Sequence, residues 1–248
     1  MREVSSNLVP TSNEVDASAA SSSRAPHEWE GARTEAVRPR RRCRFEHTAK
    51  RTFDVIAAGL ALPVISPLLL VIAVAIRLDS KGPILFRQRR LGLDGQEFLM
   101  WKFRTMVQDA ERRFAELEAA NEYPGGALFK VRHDPRVTRV GSFLRRTSLD
   151  ELPQLFNILR GQMSLVGPRP LSLRDSERVR EIDAVRFERR LTVLPGLTGP
   201  WQVSGRRDVE SNRLLDLDLE YVDRWNLLWD LRLIVQTVAV VLSQRGAY

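Results

Sequence analysis

Two carboxylates, Asp150 and Glu151, stand side by side in the stretch Arg145-Arg146-Thr147-Ser148-Leu149-Asp150-Glu151-Leu152-Pro153. An adjacent acidic pair can supply a nucleophile, a proton acceptor or ligands for a hard cation. It can equally be structural. Ser148 and Glu151 have the spacing of a capping box, and acidic side chains favour the first turn of any helix. Pro153 weakens that alternative. A helix capped at Ser148 would carry Pro153 past the positions whose N–H groups are free anyway, leaving the Leu149 carbonyl without its donor. The backbone is therefore expected to be irregular where the carboxylates lie. Successive residues of a regular helix point about 100° apart, so sharing one metal ion requires such a turn.

Basic clusters flank the pair along the chain. Lys102-Phe103-Arg104-Thr105-Met106 and Arg132-His133-Asp134-Pro135-Arg136 precede it, and Gly167-Pro168-Arg169-Pro170 follows. An arginine fork matches two phosphate oxygens, and a Pro-Arg-Pro frame would hold one guanidinium still. One basic cluster alone is usually a solvated face. Several around an acidic pair, beside a membrane segment, suggest a site for a diphosphate and a metal, and oxygen ligands with phosphate favour magnesium over zinc. A single cysteine, Cys43, excludes a disulfide framework and a multi-cysteine metal site, and three scattered histidines (His27, His47, His133) argue against a histidine site.

The elements that must position these residues follow from composition and pattern. The chain is 43% apolar and 28% charged, ordinary for a folded protein, but its formal net charge of +8 is not. That excess points to an anionic partner: nucleic acid, a phosphorylated substrate or anionic lipid. Met1 to Pro39 is rich in Ser, Ala, Glu and Arg without an apolar run, so it reads neither as a signal peptide nor as core. Residues 1–46 are expected to be a disordered tail ending in the basic block Arg40 to Arg44. An uncharged run follows from Val55 to Ile76, roughly 22 residues and enough to cross a bilayer core. Pro63 and Ser66-Pro67 lie near its middle, and Lys50-Arg51 and Arg77-Lys81 flank it almost evenly. The even charge and the proline suit a bend that returns the segment (47–80) to the face it came from, with a kinked spanning helix as the alternative.

Residues 81–248 read as a mixed domain. Ile84 to Gln88 and Glu97 to Phe103 form short strands around Leu93-Asp94-Gly95. Gln108 to Glu122, Leu152 to Arg160 and Ser176 to Leu191 read as helices, the last one exposed, and Pro195 to Gly205 as loop. Tyr221 to Gln244 carries Trp225, Trp229 and many aliphatic residues but is interrupted by Asp230, Arg232 and Gln236. It suits an interfacial helix or a core helix of the catalytic domain.

These pieces together resemble the bacterial sugar transferase family, the monotopic polyprenyl-phosphate phosphoglycosyl transferases. The resemblance rests on Lys50-Arg51 with Phe53-Asp54, Ser66-Pro67, Phe86-Arg87-Gln88, Lys102 to Met106, Thr147 to Asn157, Met163 to Pro170 and Pro195 to Arg206. It covers about Ala49 to Tyr248. It implies an α+β, mostly helical fold: a re-entrant membrane helix broken at Ser66-Pro67, and a cytosolic catalytic domain with short strands and interfacial helices. It further implies a bacterial cytoplasmic-membrane enzyme with its catalytic domain on the cytoplasmic face. Asp150 would attack the sugar-bearing phosphate of a UDP-sugar, release UMP, and pass the sugar-1-phosphate to undecaprenyl phosphate, starting an exopolysaccharide or other glycoconjugate. Asp150 and Glu151 would hold Mg2+, and Lys102, Arg104, Arg145 and Arg169 would contact phosphate or nucleotide. The carboxyl-terminal pattern is similar to members that begin repeat units with glucose or galactose phosphate. Two departures stand out. Many relatives of this subtype carry a large multi-span amino-terminal portion, and Pro200 stands where a larger apolar residue is more usual. Other readings are a glycosyl transferase that moves sugar without phosphate, releasing UDP, and a non-catalytic, membrane-anchored basic binding protein. No nucleic-acid motif accompanies the charge, so nucleic acid is not an expected partner.

Overall fold

The computed structural model describes residues 44–110, 112, 134–204 and 211–243. The tail up to residue 43, most of the helix expected after Gln108, and Arg132, His133, Gly205 and Arg206 lie outside them. Helix α1 (Arg44–Asp79) contains Pro63 and Pro67. Where a break is expected at Ser66-Pro67, helical conformation continues. Pro67 has no N–H for the Pro63 carbonyl, and the Ser66 hydroxyl donates to that carbonyl instead, at 2.8 Å.

Both ends of α1 are fastened to the rest of the protein. The Arg51 guanidinium donates to the carbonyls of Ile158 (2.5 Å) and Leu159 (3.0 Å). At the other end Asp79 accepts from the Val140 N–H at 3.1 Å, and Arg104 donates to the Ser80 carbonyl (2.7 Å) and hydroxyl (2.8 Å). Ala58, Ile72 and Ile76 are buried, with Ala61, Leu62, Ile65, Leu69 and Ala73 packed alongside them. Their three- and four-residue steps make one helical stripe. Nothing from Pro63 to Val71 is buried, and Leu60, Val64, Leu70, Val71 and Leu78 are 64–83% exposed. A helix apolar all round but covered on one stripe needs an apolar surrounding for the remainder. By length and composition it can cross a membrane, and 11% of its most apolar window is buried.

Strands β1 (Leu85–Leu91) and β2 (Glu97–Phe103) pair antiparallel around Leu93–Gly95, with Lys102 opposite Phe86 and Phe98 opposite Arg90. Helix α2 (Arg139–Thr147) leads through the single 3₁₀ turn Leu149–Glu151 into α3 (Gln154–Leu159). Strand β3 (Ser164–Val166) lies parallel to β4 (Gly196–Thr198). Between them run α4 (Leu173–Ile182) and α5 (Ala184–Arg190). After them come α6 (Pro200–Val203), α7 (Ser211–Arg224) and α8 (Leu227–Leu242). The fold is thus mostly helical with short strands, as expected.

Three details differ from the sequence-based expectation. The helix expected over Ser176 to Leu191 is two, because the Asp183 carboxylate caps a new helix by accepting the Arg186 N–H at 2.9 Å. Nor is it merely exposed, since Val179 and Phe187 join Leu91, Leu171, Trp201 and Leu215 in a core cluster. The loop expected over Pro195 to Gly205 contains β4 and α6. The long apolar segment near the end divides at Trp225-Asn226, where the Asn226 side chain caps α8 through the Trp229 N–H at 2.9 Å. On α8, Asp230 and Leu233 face inward while Leu228, Leu231, Val235, Val238 and Leu242 are exposed.

Asp230 is fully buried and explains the interruption it makes in that apolar run. Its carboxylate meets the Lys50 ammonium at 2.6 Å, and accepts from the Tyr221 hydroxyl at 2.8 Å and the Trp225 indole at 2.9 Å. The Tyr221 hydroxyl also lies 2.9 Å from the Val166 carbonyl, so its one proton is shared between that oxygen and Asp230. Removing one member of a buried pair strands the other charge. Asp230→Leu is therefore expected to destabilise the protein by on the order of 3 kcal/mol, and adding Lys50→Met to restore only part of it, because buried Asp54 then loses its own Lys50 contact at 3.9 Å. Denaturant melts in detergent micelles of the single and double variants measure this; equal loss in both would mean the pair is not the tie described.

Candidate active site

Lys102 is placed by a side-chain amide. One edge of β2 pairs with β1, and the other is served by Asn157 of α3, which is fully buried. Its Oδ1 accepts the Trp101 N–H at 3.0 Å, and its Nδ2 donates to the Leu99 carbonyl at 2.7 Å and to Gln162 Oε1 at 2.8 Å. A free strand edge is thereby closed by the helix that follows the acidic pair. Lys102 Nζ then lies 2.7 Å from Glu151 Oε1.

The irregular turn expected from Pro153 is present. Helix α2 starts at the Thr138 cap, whose hydroxyl accepts the Gly141 N–H at 3.0 Å, and stops at Ser148, which is left-handed (φ 57°, ψ 16°). Leu149–Glu151 form the 3₁₀ turn, and Pro153 opens α3 with its missing N–H at no cost. Ser148 makes no side-chain capping bond, so the capping-box alternative is not realised. Leu149 and Leu152 pack with Phe103, Leu144, Ile72 and Ile76, seating the turn on the second half of α1.

The two carboxylates have unlike surroundings. Glu151 is paired with Lys102. Asp150 is 8% exposed and has no ion pair within 4 Å among the described residues. Burial pushes its carboxyl up to about 6; Lys102 and Arg145 hold it down against that effect, and the Glu151 charge adds to the rise. Such a group is a poorly solvated carboxylate at neutral pH, suited to attack an electrophile or meet a cation. Among the described residues no three His, Cys, Asp or Glu side chains come together as a metal site. A magnesium ion here would have this pair as its protein ligands and would fill its shell with water and phosphate oxygens, which is how Mg2+ is usually held beside phosphates.

The Pro-Arg-Pro loop is fixed from behind. A Cβ on Gly196 would lie 2.1 Å from the Gly167 nitrogen, so the two backbones can cross only as glycines. The Gly167 N–H donates to Thr198 and the Gly196 N–H to Pro168, at 2.9 and 2.8 Å. Arg190, paired with Asp218 at 2.7 Å, donates to the Arg169 carbonyl at 2.6 Å. The Arg169 guanidinium lies over the Trp201 ring, 4.7 Å from its centroid.

Of the residues expected in the site, Asp150, Glu151 and Lys102 are brought together, with Arg145 in electrostatic reach of Asp150. Arg104 is placed elsewhere, against Ser80 at the end of α1 with Arg77 and Asp79 as its charged neighbours. Ser66 and Pro67 lie in the exposed middle of α1. Arg90 was not anticipated. It donates to the Pro170 carbonyl at 3.0 Å and to Gln88 Oε1, and feels the charges of Arg169, Asp175 and Glu151. A signal existed: Phe86, Gln88 and Arg90 alternate on the strand face that carries Lys102 across the hairpin.

A carboxyl whose folded pKa is raised gives stability that is complete below its unfolded value near 4 and is lost as pH rises through about 6. In magnesium-free protein, Asp150→Asn is therefore expected to gain about 1–2 kcal/mol over the parent at pH 8 and nothing at pH 4. Denaturant melts at the two pH values measure it, and no gain at pH 8 would contradict the burial described.

Residues 45–244 match the family model described as bacterial sugar transferase. The chain is 42% identical over 220 residues to exopolysaccharide production protein ExoY of Rhizobium meliloti, covering 87% of this chain and 92% of that one. It is 42% identical to the undecaprenyl-phosphate galactose phosphotransferase of Salmonella typhimurium, over 80% of this chain and 41% of that one. It is 39% identical to the UDP-glucose:undecaprenyl-phosphate glucose-1-phosphate transferase of Escherichia coli, again over 80% and 41%. The chain thus spans nearly all of ExoY and about two-fifths of the other two. With a buried carboxylate beside a lysine-paired one, and a family match over 45–244, the chain belongs to the bacterial sugar transferases.

Proposed function

We propose that this enzyme transfers a sugar-1-phosphate from a UDP-sugar to undecaprenyl phosphate at a cytoplasmic membrane face, beginning an exopolysaccharide or related glycan. The observation that carries the reading is Asp150: a buried carboxylate without an ion pair, beside the Lys102–Glu151 pair. An Asp150 oxygen attacks the phosphorus that bears the sugar. A P–O bond forms to the carboxylate, the P–O bond to the uridine monophosphate breaks, and UMP leaves with that electron pair. A phosphate oxygen of the polyprenyl acceptor then attacks the same phosphorus and expels the carboxylate. Lys102 and Arg145 offset the anionic charge gathered around the phosphorus, and splitting one displacement into two is the benefit of the covalent step. Bound Mg2+ would supply further charge neutralisation to the diphosphate, with Asp150 and Glu151 as its protein ligands. Relatives named for galactose and glucose phosphate make those two sugars the first donors to test.

Nucleotide release from detergent-solubilised protein, given magnesium, undecaprenyl phosphate and UDP-glucose or UDP-galactose, tests the chemistry. UMP is expected, with a loss of at least about a thousandfold in Asp150→Asn. UDP as product would make the reaction plain glycosyl transfer, and an active Asp150→Asn would remove the nucleophile.

We also propose that α1 is re-entrant, leaving and returning through one membrane face. Arg51 and Ser80 would lie about 43 Å apart in a straight helix, on opposite sides of a bilayer if it spanned. Yet both bond to the same polar body, through Ile158 and Leu159 at one end and Arg104 at the other. Single cysteines at Glu46 and Lys81, in a Cys43→Ser background, are expected to react with an impermeant maleimide only in inverted vesicles. Labelling of one from each side would mean a spanning helix.

A further inference from the structure

Two of the buried arginines have a carboxylate: Arg190 has Asp218 at 2.7 Å and Arg136 has Asp134 at 2.6 Å, while Arg90 and Arg169 are half-buried. Neither forms an ion pair with a described residue, although their charges are close enough to repel, and Arg90 Nε is buried with no hydrogen-bond partner. Both are anchored in place. The Arg90 Nη1 donation to the Pro170 carbonyl straps β1 to the Pro-Arg-Pro loop, and a backbone bridge pairs Arg90 with Ser172. Arg169 is held flat on Trp201, whose own indole N–H is buried without an acceptor. The loop beneath is braced by Arg190 and by the Gly167–Gly196 crossing. Two anchored, like-charged forks, with carboxylates nearby (Asp175 and Glu151 for Arg90, Asp218 for Arg169) but none in a close ion pair, are unfavourable beside each other. They become favourable when an anion with several oxygens lies between them. Arg104 also lacks partners at Nε and Nη1, but its neighbours are Arg77 and Asp79 rather than the acidic pair.

We propose that Arg90 and Arg169 form a second phosphate-binding locus, separate from Lys102 and Arg145, facing the acidic pair from the Pro-Arg-Pro side. The proposal rests on the phosphoglycosyl-transfer reading, and deepens it by adding Arg90 to the substrate-binding set and joining it to Arg169. A displacement at a phosphorus needs its charge held on the side of the attacking oxygen and on the side of the leaving one. Lys102 and Arg145 serve the Asp150 side. Arg90 and Arg169 would grip the phosphate across from it: the leaving UMP phosphate, the acceptor's phosphate in the second step, or both in turn.

Binding without turnover tests this, so that failure of the nucleotide-release assay and failure here are separate results. The full chain in detergent is titrated calorimetrically with UMP and, separately, with farnesyl phosphate, for the parent and for Arg90→Gln and Arg169→Gln. Each variant is expected to weaken at least one ligand tenfold or more, and the same ligand in both. Loss for UMP alone assigns the locus to the donor, for farnesyl phosphate alone to the acceptor, and for both to a shared anion position. Unchanged affinity for both ligands, or a lowered melting temperature with unchanged affinity, would reduce Arg90 to a strap and overturn the proposal. Should Arg90→Gln not fold, Arg169→Gln decides, its side chain being only half-buried, and parental affinities there overturn it equally.

Discussion

The fold turns on one buried carboxylate, Asp230. A helix as apolar and as exposed as α1 and a polar body have opposite solvent requirements, and a polar tie holds them in register. The 2.6 Å contact with Lys50 does so at the start of α1, and Tyr221 and Trp225 fill the remaining capacity of the carboxylate. A buried ion pair is a poor source of net stability but a strict source of geometry, because any other register leaves a charge unpaired. Through Tyr221 the same cluster reaches the Val166 carbonyl, the last residue of β3, and so the strand that leads into the Pro-Arg-Pro loop. Helix α1, helix α8 and the Pro-Arg-Pro loop share one anchor.

From that anchor the position of the nucleophile follows. The packed stripe of α1 carries Ala58 beneath Leu155 and Ile158, and Ile72 and Ile76 beneath Leu149 and Leu152. Asp150 lies between those leucines, so under the proposed function the depth of α1 in a bilayer would also set the height of the Asp150 carboxylate above it. A lipid acceptor cannot bring its phosphate far from the headgroup layer. For the proposed reaction with such an acceptor, packing the Asp150 turn directly onto α1 would be an advantage, since ordering the helix also orders the turn.

How much of this could be read in the sequence depended on range. Features set by neighbours were legible. Pro153 announced an irregular turn at Asp150, the hairpin followed from alternation around Leu93-Asp94-Gly95, and the uncharged run gave α1. Features set across the fold were not. Asp230 looked like a flaw in an apolar helix because its partner is 180 residues away. Asp183 and Asn226 looked like polar positions in continuous helices, yet each caps a new one. Capping is a local act, but whether a chain breaks there is decided by what the two halves bury, here Val179 and Phe187 on either side of Asp183. Arg104 sat in the same basic run as Lys102 and was expected beside it. Residues two apart in a strand share a face in principle, but β2 ends at Phe103, so Arg104 escapes the alternation and reaches Ser80 instead.

The site is also where the protein departs from its own rules. Several buried charges elsewhere are matched: Arg190 with Asp218, Arg136 with Asp134, Lys50 with Asp230. Around the acidic turn, Asp150 is buried without an ion pair, and the half-buried Arg90 and Arg169 also lack one among the described residues. Letting these opposite charges meet would satisfy both and disable both. The braces described here, Asn157 on β2, Arg190 behind Arg169, and Leu149 and Leu152 on α1, resist that collapse. Unpaired charge of this kind persists only where the surroundings fix the geometry. Unpaired charges of both signs in one region suit a ligand that brings its own electrophilic phosphorus and negative oxygens, as the proposed nucleotide-linked sugar diphosphate would.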